Sequence, residues 1–142
     1  PAAWARMRAV KREAQAGILC YGRDRDSGAV AMASENAIRA GIAEITDFTS
    51  GPISSAIPPP GPPGLVMVNP PYGARLGAGD LRPLYQTLGQ VLGRRFGGWR
   101  VGLVTSEPRL AAATGLPFLS AEPAVLHGGL RIRLYRTAAL PA

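Results

Sequence analysis

LVMVNPPYGARLG, residues 65–77, sets an apolar run directly against two consecutive prolines. Leu65–Val68 is the continuous apolar run expected of a parallel strand covered on both faces. Proline lacks a backbone donor and is confined to strand ends and edges, so Pro70 and Pro71 end the strand abruptly. Pro70 also biases Asn69 toward extended backbone, and Pro71 does the same to Pro70. Open parallel sheets bind ligands at the carboxyl ends of their strands, which is where this rigid corner falls.

Working outward, helical and strand patterns alternate. Trp4, Met7, Val10 and Ala14 share one face of an expected helix over 2–16, with basic residues on the other. A short apolar strand is expected over 18–22. A helix over 28–40 follows, capped by Asp26 or Ser27, buried through Val30, Ala33, Ala37 and Ile38, and stopped at Gly41. Residues 42–45 read as a weak strand leading to Asp47. GPISSAIPPPGPPG, residues 51–64, is too rich in proline for regular structure beyond one turn near 54–57. It reads as a connector between strands and not as a domain boundary. After residue 77, Asp80 reads as the cap of a helix over 81–96 with a stripe of Leu81, Leu84, Tyr85, Leu88, Val91, Leu92 and Phe96. A strand over 99–105, a short helix over 106–114 and a hairpin turning at Gly128 and Gly129 complete the pattern. This is an α/β class with a mostly parallel sheet and an antiparallel hairpin at its edge.

The 142 residues suit one domain with a real core, and 46% apolar against 18% charged residues is globular composition. No apolar run reaches membrane-spanning length and no secretory pattern opens the sequence, so no membrane is expected. The lone cysteine, Cys20, forms no disulfide framework or metal cluster and reads as a buried thiol in a reducing cytoplasm. Net charge is +7, and Lys11 is the only lysine among 16 positive residues. Arginine suits phosphate and base contacts, although high genomic GC content produces the same bias.

The strand ends carry the candidate chemistry. Asp24 stands where an acidic side chain accepts from ribose hydroxyls, while Asp26 is better placed as a helix cap. Asp47, read as following the next strand, suits an exocyclic purine amine. At the third strand end, the Asn69 side-chain oxygen and the Pro70 carbonyl are two fixed acceptors close together. An exocyclic amine that gives both hydrogens to them is drawn toward a tetrahedral nitrogen with an available lone pair. Tyr72 supplies a stacking surface for the base. The nitrogen's proton becomes acidic only after alkylation, so positioning and electrostatics suffice without a dedicated base. His127, the only histidine, reads as a solvated residue at the hairpin turn.

The Asn-Pro-Pro-Tyr string resembles the substrate-amine motif of S-adenosylmethionine-dependent amino methyltransferases. GRDRD and AVAMASENAIRAG (22–26 and 29–41), NPPYGARLG (69–77), LYQTLGQVLGRRF (84–96), WRVGLVTS (99–106) and VLHGGLRIRLYR (125–136) are similar to RNA guanine-N2 methyltransferases. The resemblance covers about residues 18–137. It implies a Rossmann-like class I methyltransferase fold, S-adenosyl-L-methionine as cofactor and guanine N2 of ribosomal RNA as target. It assigns Asn69, Pro70, Pro71 and Tyr72 to the target base, and Asp24, Arg25, Asp47, Phe48 and Asn69 to the cofactor side. It also implies an RNA-binding THUMP-type domain upstream and no metal. The family normally opens with a strand and a glycine-rich loop that are not legible before Gly22. Residues 1–142 are therefore expected to be the C-terminal part of a catalytic domain. The alternatives are a non-catalytic basic RNA-binding remnant and an adenine-N6 methyltransferase.

Overall fold

The computed structural model describes residues 19–72, 80–120 and 122–142. They belong to two compact units, one ending at Pro52 and the other spanning Ile53–Ala142. The division falls within the proline-rich stretch taken from sequence as an internal connector. The expected turn there is a single 3-10 turn, Ile53–Ser55. The expected helix over 2–16 and the expected absence of a strand and glycine-rich loop before Gly22 lie outside the described residues.

In the first unit, strand β1 (Cys20–Asp24) leads into helix α1 (Ser27–Ala40), and strand β2 (Thr46–Ser50) pairs parallel with β1. The capping expectations hold for this helix, whereas the later helix Arg82–Arg95 has Leu81 and not Asp80 as its N-cap, Asp80 accepting, among the described residues, only from the Arg82 N–H. Asp26 Oδ1 accepts from the backbone N–H groups of Gly28 (2.8 Å) and Ala29 (3.4 Å), satisfying donors the first turn leaves open. Gly41 stops the helix in the left-handed region at φ 69°.

Three expectations need correction here. β1 is not the buried strand read over 18–22: it runs two residues further, and Cys20 and Tyr21 are exposed. Its only strand partner among the described residues is β2, so an apolar sequence here does not bring burial. In α1, Ala37 alone of the proposed face is buried, and Ile38 is 68% exposed. Residues 42–45 form no strand, because Ala43–Ile45 is a 3-10 turn closed by the Thr46 hydroxyl, which donates toward the Ile42 and Ala43 carbonyls. The strand comes after it, in TDFTS, where threonine and phenylalanine favour the pleated surface.

The second unit holds β3 (Leu65–Val68), α2 (Arg82–Arg95), β4 (Arg100–Thr105), α3 (Pro108–Ala113), β5 (Val125–His127) and β6 (Leu130–Arg136). Its sheet order is β3-β4-β6-β5, with β3 and β4 parallel and the remaining pairs antiparallel. Most of the expected stripe is core: Tyr85, Leu88, Val91 and Leu92 of α2 and the capping Phe96 pack with Val101 and Leu103 of β4, Tyr135 of β6 and Leu140, while Leu84 is half-buried outside that cluster. Each such side chain contributes roughly 1.5–3 kcal/mol on full burial. Gly89 admits the close crossing of α2 over the end of α3, since a Cβ there would lie 1.7 Å from the Thr114 carbonyl oxygen. Gly128 and Gly129 have φ of 55° and 80°, the two positive values that a tight hairpin turn of matching twist requires.

β3 departs from the expected strand covered on both faces. Val66 and Val68 pack on the core, whereas Leu65 and Met67 are 54% and 58% exposed on the other side. Period-two geometry separates the two pairs, and helix α2 covers only one of the faces. No helix among the described residues is long and apolar enough to cross a membrane.

Candidate functional site

At the end of β3 the four residues singled out from sequence differ sharply in exposure. Asn69 is exposed, Pro70 and Pro71 are half-buried, and Tyr72 is 8% exposed. Beneath them lies a polar chain that sequence reasoning did not identify. The Tyr85 hydroxyl, on a fully buried side chain of α2, donates to the Pro71 carbonyl at 3.2 Å. It also contacts the Thr105 hydroxyl at 3.3 Å. Tyr85 has one hydroxyl hydrogen and a carbonyl only accepts, so Thr105 is the donor in that second contact. Thr105 Oγ1 in turn accepts from the Glu107 backbone N–H at 3.1 Å. Every buried group in this chain is satisfied, which is the condition for a buried polar network to stabilise rather than destabilise.

The chain fixes the motif from below. It occupies the Pro71 carbonyl while, among the described residues, the Asn69 side chain and the Pro70 carbonyl have no hydrogen-bond partner. Those two oxygens are the acceptors expected from sequence. Burial raises the Tyr85 hydroxyl above its ordinary value near 10, with the Tyr72 and Glu107 side chains adding to the rise and the Thr105 hydrogen bond opposing it. Tyr85 is thus held neutral as a donor. The signal for it in sequence was its place on the apolar stripe, where a tyrosine needs a partner for its hydroxyl. Ser106, next in the chain after Thr105, has a buried Oγ with no partner among the described residues. Tyr72 leaves little of its ring exposed.

In the first unit, Asp24 closes β1 as expected. Its Oδ1 accepts from the Asp26 N–H at 2.9 Å, a local turn that orients the carboxylate, and Oδ2 has no hydrogen-bond partner among the described residues. Arg25, the exposed residue between the two aspartates, lies in that turn. Asp47 does not sit where the sequence reading put it. It is the second residue of β2, opposite Tyr21, and Asp24 is opposite Ser50. Three register steps, roughly 10 Å along the strands, separate the two carboxylates. The carboxyl end of β2 carries Thr49, Ser50, Gly51 and Pro52 instead. The Arg23 side chain lies across it, donating to Thr49 Oγ1 at 3.3 Å and to the Pro52 carbonyl at 3.4 Å. A Cβ on Gly51 would meet that guanidinium at 2.2 Å, so a side chain there would push the flexible arginine aside. Phe48 is half-buried on β2, its ring against Gly22 of β1.

Among the described residues no group of three or more His, Cys, Asp and Glu side chains could hold a metal ion. His127 is exposed beside the β5–β6 turn.

Comparison with known proteins gives these features a context. The family model described as RMKL-like, methyltransferase domain, matches residues 3–124. The ribosomal RNA large subunit methyltransferase K/L of Chromohalobacter salexigens is 41% identical over 128 residues, which are 82% of this chain and 17% of that protein. The chain therefore spans about a sixth of the length of that curated relative. Among solved structures, a possible methylase from Clostridium difficile 630 superposes with a TM-score of 0.75 at 27% identity, covering 87% of this chain and 32% of that one. The protein SMU.472, solved in complex with SAH, has a TM-score of 0.76 at 22% identity, with the same coverage of 87% and 32%. This last likeness is one of fold. The α/β architecture expected from sequence, Rossmann-like with parallel and antiparallel pairing, is the one these neighbours share.

Proposed function

This chain belongs to the family of RMKL-like methyltransferase domains, and from that premise we propose that it transfers a methyl group from S-adenosylmethionine to an exocyclic amine of ribosomal RNA, guanine N2. One observation carries the reading. Asn69 and Pro70 offer two acceptor oxygens unengaged among the described residues, on a corner that Tyr85 ties down through the neighbouring Pro71 carbonyl. When both N–H groups of the amine are held by those oxygens, the nitrogen lone pair loses conjugation with the ring and becomes nucleophilic.

S-adenosylmethionine supplies an electrophilic methyl group: the nitrogen lone pair forms the new N–C bond and sulfur keeps the electrons of the broken C–S bond. The alkylated nitrogen, now positive, passes a proton to water. Asn69 and Pro70 stabilise that developing charge through oxygens fixed before reaction, so little reorganisation is needed. Tyr72 holds the plane of the base. On the cofactor side Asp24 fits, because one carboxylate oxygen is oriented by the Asp26 N–H and the other is available to a ribose hydroxyl. Arg25 and Phe48 accompany it as secondary contacts. Asp47 fits poorly, since it lies near the amino end of β2. RNA is the proposed partner. The upstream THUMP-type domain inferred from sequence is proposed for the longer protein that the relatives' lengths describe.

The test is methyl transfer by the full-length protein to ribosomal RNA lacking the modification, followed by mass spectrometry of the nucleosides. N2-methylguanosine is the expected product. N6-methyladenosine would move the target to the other exocyclic amine class, and no methylated nucleoside would overturn the reading.

A further inference from the structure

The β5–β6 hairpin has no role in the site just described, yet its register places it beside that site. Thr105, the last residue of β4, stands directly opposite Arg133. Opposed residues of an antiparallel pair share a face and have Cα atoms about 4.5–5.5 Å apart. Arg133 therefore neighbours the Thr105–Tyr85–Pro71 hydrogen-bond chain. Beyond Thr105 the strand β6 continues, paired among the described residues only with β5, so the hairpin overhangs the carboxyl end of β4. Arg131 lies two residues further out on the same face, roughly 7 Å past the level of Thr105. Leu126, opposite Arg131 in the hairpin, is 73% exposed on that face as well.

The charges on this face are unspent. Arg131 and Arg133 are exposed, and among the described residues neither has an ion pair or hydrogen bond. Arg136, on the opposite face of β6, is by contrast paired with Glu122. Glu107 is the carboxylate closest in sequence to the end of β4, and it forms no ion pair with either arginine. An exposed strand face needs no arginine to remain soluble. Two forked, permanently charged donors with an apolar neighbour match a nucleic-acid backbone, where guanidinium binds phosphate and aliphatic surface meets sugar.

We propose that the overhanging face of the β5–β6 hairpin, through Arg131 and Arg133, grips the phosphates that flank the target nucleotide of the RNA. The proposal rests on the reading of the substrate as RNA. It assigns these arginines to positioning the strand while the residues of the β3 corner address the base.

The experiment measures binding of the full-length protein to a labelled RNA stem-loop with guanine in its loop, by fluorescence anisotropy across a salt series. Arg131→Ala/Arg133→Ala is compared with Arg39→Ala/Arg100→Ala, which removes the same charge from α1 and from the opposite end of β4. The hairpin variant is expected to raise Kd by on the order of tenfold and to flatten the log Kd against log salt slope by about 1.4, two single-strand phosphate contacts. The control is expected to match wild type, and Arg131→Lys/Arg133→Lys to recover most of the affinity. A hairpin variant that is folded and indistinguishable from the control in both Kd and slope would overturn the proposal. If wild type methylates ribosomal RNA in the methyl-transfer assay, the substrate reading stands whatever the hairpin variant does. If it neither binds nor methylates RNA, both readings fall.

Discussion

Asn69 and Pro70 end β3 with two oxygens that no described residue uses, and Tyr85 explains why they stay there. Removing its hydroxyl leaves the Pro71 carbonyl and the Thr105 hydroxyl without their buried partner. Tyr85→Phe is expected to cost about 1–3 kcal/mol of stability. It is also expected to lower kcat roughly tenfold through a looser corner, with KM for S-adenosylmethionine unchanged. The same variant gives a pH signature. Tyr85 binds its proton more tightly in the folded chain than in the unfolded one, whose hydroxyl titrates near 10. Between those two values the unfolded state holds fewer protons, so stability falls as pH rises above about 10 and is fully present below it. Urea titrations at increasing alkaline pH should show a steeper loss in wild type than in Tyr85→Phe. Equal losses would mean that another group controls the alkaline limit.

At the scale of elements, glycines in α2 separate a packing requirement from a propensity. Gly89 lies where the helix crosses the chain after α3, whereas a side chain at Gly93 would meet open space among the described residues. Gly89→Ala is expected to destabilise by about 3 kcal/mol, because backbone at Thr114 has to move. Gly93→Ala is expected to stabilise by about 0.5–1 kcal/mol, since alanine loses less entropy in a helix. Thermal denaturation of both variants checks the contrast, and equal effects would contradict the crossing. The elements themselves were largely legible in sequence. The stripe of α2 has a period that only a helix matches, Asp26 and Gly41 bound α1, and Gly128 with Gly129 marks the hairpin. The strand Thr46–Ser50 was not legible, because its pattern is polar and the apolar residues beside it belong to a turn. That one displacement moved Asp47 from the end of a strand to near its start. Tyr85 was legible as core but not as a brace, since periodicity reports burial and not the direction of a hydroxyl.

For the whole molecule, sequence indicates which residues are apolar but not what covers them. Tyr21, Leu65 and Met67 read as buried and are exposed, and among the described residues β1 pairs only with β2 and β3 only with β4. The described chain accordingly forms two units, each holding one part of the proposed site: Asp24 at the end of β1 in the first, the Asn-Pro-Pro-Tyr corner in the second. Assigning different jobs to the two parts makes the central claim separable by measurement. Asn69→Ala in the full-length protein should lower single-turnover methyl transfer to ribosomal RNA by about a hundredfold or more. Affinity for S-adenosylmethionine, measured by calorimetry on the same preparation, should change little. Undiminished transfer by this variant would contradict the account.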